Sequence, residues 1–199
     1  SVANRYDIMN DLMSFGLHRL WKDLAINHLA LQPHHQVLDL AGGTGDLTLR
    51  IHKRIRSPGG IILSDINPEM LQEGKNRLIN KGVFDNIEFV QANAEAMPFS
   101  DNQFDRVIIG FGLRNVTNKG QALAEIYRCL KPGGLLVILE FSKPTDQTLQ
   151  KLYDLYSFNV IPKVGKVITQ DEDSYRYLVE SIRMHPDQQT LAQLMQQNQ

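Results

Sequence analysis

One cysteine, Cys129, in 199 residues leaves nothing from which to build an intrachain disulfide framework and fits a reducing, cytoplasmic setting. Long apolar runs are missing too. No stretch approaches the roughly 20 residues that a membrane-spanning helix needs, and the opening SVANR carries no signal-peptide pattern. Any membrane contact is therefore expected to be peripheral. Charge of one sign is absent, with 21 Lys and Arg against 22 Asp and Glu, so no long-range field draws the chain towards nucleic acid. There is no internal repeat, low-complexity tract or interdomain linker, and no metal is assigned. What is present is an ordinary apolar fraction, 42%, in a chain the size of one mixed domain.

Five segments read as buried strands, rich in β-branched residues and bounded by turn signals: 36–40, 61–65, 87–91, 104–109 and 135–140. Near-continuous apolar runs of this kind suit a parallel sheet covered on both faces. Helical stretches alternate with them at 46–55, 68–80 and 119–130, while SPGG at 57–60, Gly82 and KPGG at 131–134 supply turns. Alternation of strand and helix predicts an α/β fold with a doubly wound, mostly parallel, Rossmann-like sheet. Outside it, residues 4–31 read as one or two helices with Leu17, Leu20, Leu24, Ile26 and Leu29 on an apolar side. The acids at 171–173 open a helix running to about Met184, and Asp187 opens another.

The first strand runs into DLAGGTGDL at 39–47, an acid and then four small residues, which invites a nucleotide. A P-loop is excluded because no Gly-Lys-Ser/Thr follows. A dinucleotide fingerprint would place its third glycine where Thr48 stands, which weakens an NAD-dependent oxidoreductase without removing it. Asp65 ends the second strand, where a carboxylate can accept hydrogen bonds from ribose hydroxyls. Asp39 would repel a pyrophosphate, yet it suits S-adenosyl-L-methionine (SAM), which has no phosphate and carries a cationic amino-acid end.

Taken together, VLDLAGGTGDLT, LSDINPEML, QANAEAMPF, FDRVIIGFGLRNVTN and LKPGGLLVILEFSKP resemble the class I SAM-dependent methyltransferases. RYDIMNDLMSFGLHRLWK at 5–22, FGLRNV at 111–116 and DSYRYLVESIRMHPDQ at 173–188 are more narrowly similar to the ubiquinone/menaquinone biosynthesis C-methyltransferases of the UbiE type. The resemblance covers nearly the whole chain. It implies methylation of a ring carbon on a polyprenylated benzoquinol or naphthoquinol (2-polyprenyl-6-methoxy-1,4-benzoquinol, demethylmenaquinol or both). It also implies one methyltransferase domain over 1–199, with a lid at 1–31, a cofactor-binding core at 36–140, and a substrate-side insertion with C-terminal helices at 141–199. Ala41 stands where the wider superfamily often has glycine. The superfamily's last two strands form a hairpin after the final helix, and that hairpin is expected to be missing from this chain.

The same resemblance assigns roles. Asp39, Gly43, Thr44 and Gly45 would meet the methionine portion of SAM, Asp65 and Ile66 the ribose side, Asn93 and Ala94 the adenine, and Gly110 would offer backbone only. Tyr6 would close over the cofactor from the lid; with Asp7 it could equally pack and cap a helix. Arg114 and Asn115 are the catalytic candidates: Arg114 stabilises a developing phenolate or orients a proton-accepting water, unless it is only an exposed loop arginine. Tyr153, Tyr156 and Tyr177 are candidates for the ring pocket, although aromatics there also suit a core. His18 reads as a surface histidine that could act as a base, and Glu140 as a second base candidate. Met9, Met13, Phe15, Phe158, Val160, Ile161, Val164, Val167 and Ile168 could shape an entrance for the prenyl tail, with Lys151, Lys163 and Lys166 near lipid head groups. Partners would then be a lipid quinol, the inner face of a membrane, and a homodimer or a quinone-biosynthesis complex. A non-catalytic SAM-binding scaffold is the competing class.

Overall fold

The computed structural model describes residue 14 and residues 16–56, 59–83, 85–142 and 172–198. Cα packing divides the chain into two units. One is Leu20–Glu140 with Leu194–Gln199; the other comprises the described parts of Ser1–Arg19 and Phe141–Gln193.

The larger unit contains a five-stranded parallel sheet: β1 (Gln36–Leu40), β2 (Gly60–Asp65), β3 (Ile87–Gln91), β4 (Phe104–Gly110) and β5 (Leu130–Leu139), in the order β3-β2-β1-β4-β5. Chain order reverses between β1 and β4, and in open α/β sheets ligands bind outside the carboxyl ends of the strands at that reversal. Registers run Leu38↔Ile62 and Leu38↔Val107. Val37, Leu38, Leu63, Val107 and Ile108 are fully buried, which is why these strands read as continuous apolar runs rather than alternating ones.

Ahead of the sheet lies α1 (His18–His28), and the crossover helices follow where the sequence places them: α2 (Asp46–His52) and α4 (Lys119–Cys129) with shorter C-terminal ends, α3 (Pro68–Asn80) at its predicted bounds. Asn67 caps α3 by accepting from the N–H groups of Glu69 and Met70, and Asn118 caps α4 by accepting from Gln121. Predicted to reach residue 55, α2 stops at His52; Ile55 turns inward and is buried. The β5 strand starts at Leu130, not 135: KPGG lies inside it as an irregularity, where the ladder jumps from Leu130 to Leu135 while its partner advances only from Phe104 to Arg106. Cys129, at the α4–β5 junction, is fully buried.

The apolar side assigned to α1 is only half right. Ile26 and Leu29 are buried, with Ala25, in a core shared with Val37, Leu47, Ile51, Ile61 and Ile108. Leu17, Leu20 and Leu24 are instead about half exposed, at 49%, 58% and 48%. The buried positions 18, 22, 25, 26 and 29 include His18 and Lys22. Two polar residues among the buried positions disguised the phase of the helix.

In the smaller unit lies α5 (Glu172–Met184), and α6 (Gln188–Gln197) spans the boundary. Asp187 caps α6 by accepting from Thr190 at 2.8 Å, as its position predicts.

Candidate active site

The turn after β1 is held by its neighbours. Gly43 and Gly45 take φ of +52° and +73°, a left-handed backbone that glycine adopts without steric cost. The carboxylate of Asp65 reaches across from β2: Oδ2 accepts the Gly43 N–H at 2.9 Å, and Oδ1 accepts the Asn67 N–H at 2.9 Å. One acid thus ties the glycine turn to the entry of α3. Burial pushes its carboxyl above the ordinary range, partly offset by those amides.

Beneath the turn, Asp39 is fully buried. The Thr48 hydroxyl donates to its Oδ2 at 2.6 Å, whereas Oδ1 has no hydrogen-bond partner. Burial raises its carboxyl from 3.8 to about 7, against the opposing effect of the Thr48 bonds. Because the folded value lies above the unfolded one, this group's contribution to stability is complete below 3.8 and is lost as pH rises through about 7. Asp39→Asn keeps an acceptor for Thr48 and removes the ionisation. Urea midpoints at pH 5 and pH 8 should therefore differ less in the variant than in the native protein.

Asp46 opens α2 with three cations around it: Lys22 Nζ at 2.9 Å, Arg50 Nε at 3.6 Å and Arg77 Nη2 at 3.6 Å. Burial works against its charge, but Lys22, Arg50 and Arg77 outweigh it and hold the carboxyl below its ordinary value. Arg77 also donates to the Thr44 hydroxyl at 3.1 Å. Neither Lys22 nor Arg77 stood out in the sequence, because each lies on a helix far from the glycines and no periodicity marks it.

Gly74 was missed as well, though it left a signal. A glycine inside the α3 pattern costs about 1 kcal/mol relative to alanine and asks for a packing reason. A Cβ there would stand 2.4 Å from the Gly43 carbonyl oxygen, so the bare backbone lets α3 press against the turn.

At the exit of β4 the chain bends through Phe111 (φ +58°), adjoining Ala41 (φ +53°) at the exit of β1; a Cβ on Gly112 would meet the Ala41 Cβ at 2.7 Å. Two non-glycine residues in this left-handed region mark stored strain at the reversal point. A short 3-10 turn, Leu113–Asn115, follows. Arg114 is no exposed loop arginine: its side chain and that of Glu140 are each 4% exposed and pair at 2.8 Å. The Arg114 N–H also donates to Glu140 Oε2 at 3.2 Å, and Nη1 donates to the Phe111 carbonyl. Glu140 is thereby the counter-ion of Arg114, which displaces its reading as a separate base. Asn115 is exposed beside it.

Across the sheet, Ile66 is 61% exposed next to Asp65. Asn93 Oδ1 accepts from the Glu95 N–H at 3.0 Å, the loop-capping use of an Asn amide, and Ala94 is buried. The loop after β3 is braced by α4: Glu125 accepts from the Met97 N–H, and Arg128 donates to the carbonyls of Met97 and Phe99.

Asp39, Gly43, Thr44, Gly45, Asp65, Ile66, Asn93, Ala94, Gly110, Arg114 and Asn115 all fall at or just beyond the carboxyl ends of β1 to β4 in one unit. The surface-histidine reading of His18 is overturned, since it is 1% exposed; its backbone N–H donates to Ser14 Oγ. Tyr177, on α5 in the smaller unit, is 57% exposed rather than core. Tyr6, Asp7, Met9, Met13, Phe15, Tyr153, Tyr156 and the apolar and lysine positions between 151 and 168 lie outside the described residues.

Acids at the ends of β1 and β2 suit a cationic nucleoside and oppose a pyrophosphate. The position of a third glycine is filled by a buried Thr48 bonded to Asp39, so the dinucleotide reading loses its footing. Comparison with known proteins agrees. The profile of the ubiE/COQ5 methyltransferase family matches residues 1–199. The chain belongs to that family. It is 57% identical over 196 residues to the ubiquinone/menaquinone biosynthesis C-methyltransferase UbiE of Shewanella pealeana, covering 98% of this chain and 78% of the relative. It is 59% identical over 195 residues to that of Hydrogenovibrio crunogenus, covering 98% and 77%. Among solved structures, a SAM-dependent methyltransferase from Aquifex aeolicus has the same fold, with a TM-score of 0.58 at 21% identity over 63% of this chain and 66% of that one. As a member of the ubiE/COQ5 family the chain is a C-methyltransferase, and its parallel sheet is the Rossmann-like methyltransferase sheet.

Proposed function

We propose that the chain uses SAM to methylate a ring carbon of a polyprenylated benzoquinol or naphthoquinol, acting as one methyltransferase domain. What supports the substrate class is the kinship with UbiE enzymes of ubiquinone and menaquinone biosynthesis. The observation that carries the mechanism is a buried arginine, fixed by Glu140, at the exit of β4, the strand beside the glycine turn of β1.

Asp39, Gly43, Thr44 and Gly45 would hold the amino-acid end of SAM, Asp65 and Ile66 the ribose, Asn93 and Ala94 the adenine, and Gly110 would offer the cofactor its backbone only. Bound there, SAM would supply an electrophilic methyl group on a cationic sulfur. On the protein's side, Arg114 stabilises the phenolate that forms as the quinol hydroxyl loses its proton, either directly or through a water that takes the proton. It remains cationic throughout, so it is not itself the base. Glu140 keeps the guanidinium in one orientation, and Asn115 offers a second polar contact to the ring oxygen. A prenylated substrate implies peripheral contact with a lipid surface; among the described residues no helix is long and apolar enough to cross a membrane.

Mass spectrometry after incubation with methyl-labelled SAM and chemically reduced demethylated quinols of both ring types tests the reading. Labelled product is expected from a reduced ring and none from the oxidised quinone, which lacks the nucleophilic carbon. SAM binding without product from either ring would instead favour the scaffold reading.

A further inference from the structure

Lys22 has no role so far. Its side chain is 7% exposed, its ammonium lies 2.9 Å from Asp46 Oδ2 and 6.0 Å from the centre of the Phe111 ring. Asp46 directly follows the glycine turn of β1, and Phe111 directly follows β4. The ammonium therefore bridges the exits of the two strands between which chain order reverses, the place where ligands bind in sheets of this kind. Lys22 is the nearest of the three cations on Asp46, and Arg50 and Arg77 attend the same carboxylate from 3.6 Å. A lysine gives up strong hydration to be buried, and a charge so shielded from solvent acts strongly on a ligand beside it.

The order of the strand ends gives that ligand a direction. Asn93 stands after β3, Asp65 at the end of β2 and the glycine turn after β1, so a nucleoside laid along them runs from base to ribose to tail. Its tail would then come to the reversal between β1 and β4, where the Lys22 ammonium stands. Asp39, beneath the glycine turn, suits the cationic ammonium of SAM rather than an anion, and the cofactor's carboxylate is left in need of a positive partner.

We infer that Lys22 is the residue that recognises the α-carboxylate of the cofactor's amino-acid end, which makes α1 part of the cofactor site. The inference rests on the SAM reading above and deepens it. It accounts for a lysine on the core face of α1, where a leucine would have packed at lower cost.

Calorimetry with SAM and with decarboxylated SAM, which differs only in the missing carboxylate, tests this on native protein and on Lys22→Met and Lys22→Arg. A charge-assisted contact predicts that native protein prefers SAM by about 10- to 100-fold. Lys22→Met should lose that preference by weakening SAM alone, and Lys22→Arg should keep part of it. Equal weakening of both ligands in Lys22→Met would mean that Lys22 merely supports the turn, and the inference falls. It falls equally if native protein binds both ligands alike, a result that needs no variant to fold. Native protein that binds neither overturns the SAM reading itself.

Discussion

Removing the guanidinium of Arg114 is expected to abolish most turnover. Arg114→Ala should lower kcat by about 100- to 1,000-fold, the usual cost of one preorganised donor aimed at a developing oxyanion. It should also destabilise the fold by about 3–5 kcal/mol, because Glu140 would be left buried with its charge uncompensated. Those two losses can be separated. Arg114→Met combined with Glu140→Leu removes both charges together, and a buried ion pair replaced by apolar residues of similar size is often neutral or stabilising. The double variant should therefore melt near the native temperature and still be inactive. Activity within tenfold of native in a well-folded double variant would show that Arg114 has only a structural part.

The second large effect concerns Gly74. Alanine in a helix interior ordinarily gains about 1 kcal/mol over glycine, so propensity alone predicts a more stable protein. Here the added Cβ would stand 2.4 Å from the Gly43 carbonyl oxygen and 3.3 Å from the Thr44 carbonyl carbon. Both are backbone atoms that no rotamer can move aside. Overpacking against unyielding atoms costs about 1–3 kcal/mol, so the clash wins and α3 must back away from the turn. Gly74→Ala is expected to unfold at lower urea and to bind SAM at least about tenfold more weakly, since the displaced turn carries the cofactor's amino-acid end. Gly120→Ala is the control: its Cβ would meet nothing nearer than the Asn118 side chain at 3.6 Å, and stability should hold or rise. Equal behaviour of the two variants would refute the packing argument.

Strand positions were the most legible part of the molecule in sequence. β1 and β3 run as predicted because their apolar runs are bounded by polar residues and turns. β1 is buried on both faces and cannot hide its composition, while β3, at the end of the strand order with Glu88 and Gln91 exposed, keeps its signal in Ile87, Phe89 and Val90. Motif positions were legible too, since glycines and acids at strand ends are local features. What escaped was long-range. Lys22 meets Asp46 and Arg77 meets Thr44 only through packing between elements distant in sequence. The partnership of Arg114 with Glu140 needs β4 and β5 side by side before the two residues meet. The face of α1 escaped for the opposite reason: its buried positions mix His18 and Lys22 with aliphatics, so Leu17, Leu20 and Leu24, which seemed to define the stripe, point outward.

Cys129 gives the protein a gauge of its own integrity. The thiol sits at the joint of α4 and β5, out of reach of solvent, and burial pushes it further from the reactive thiolate. With one sulfhydryl in the whole chain, any alkylation counts openings of that joint directly. Its rate reads the opening equilibrium without a probe having to be engineered in.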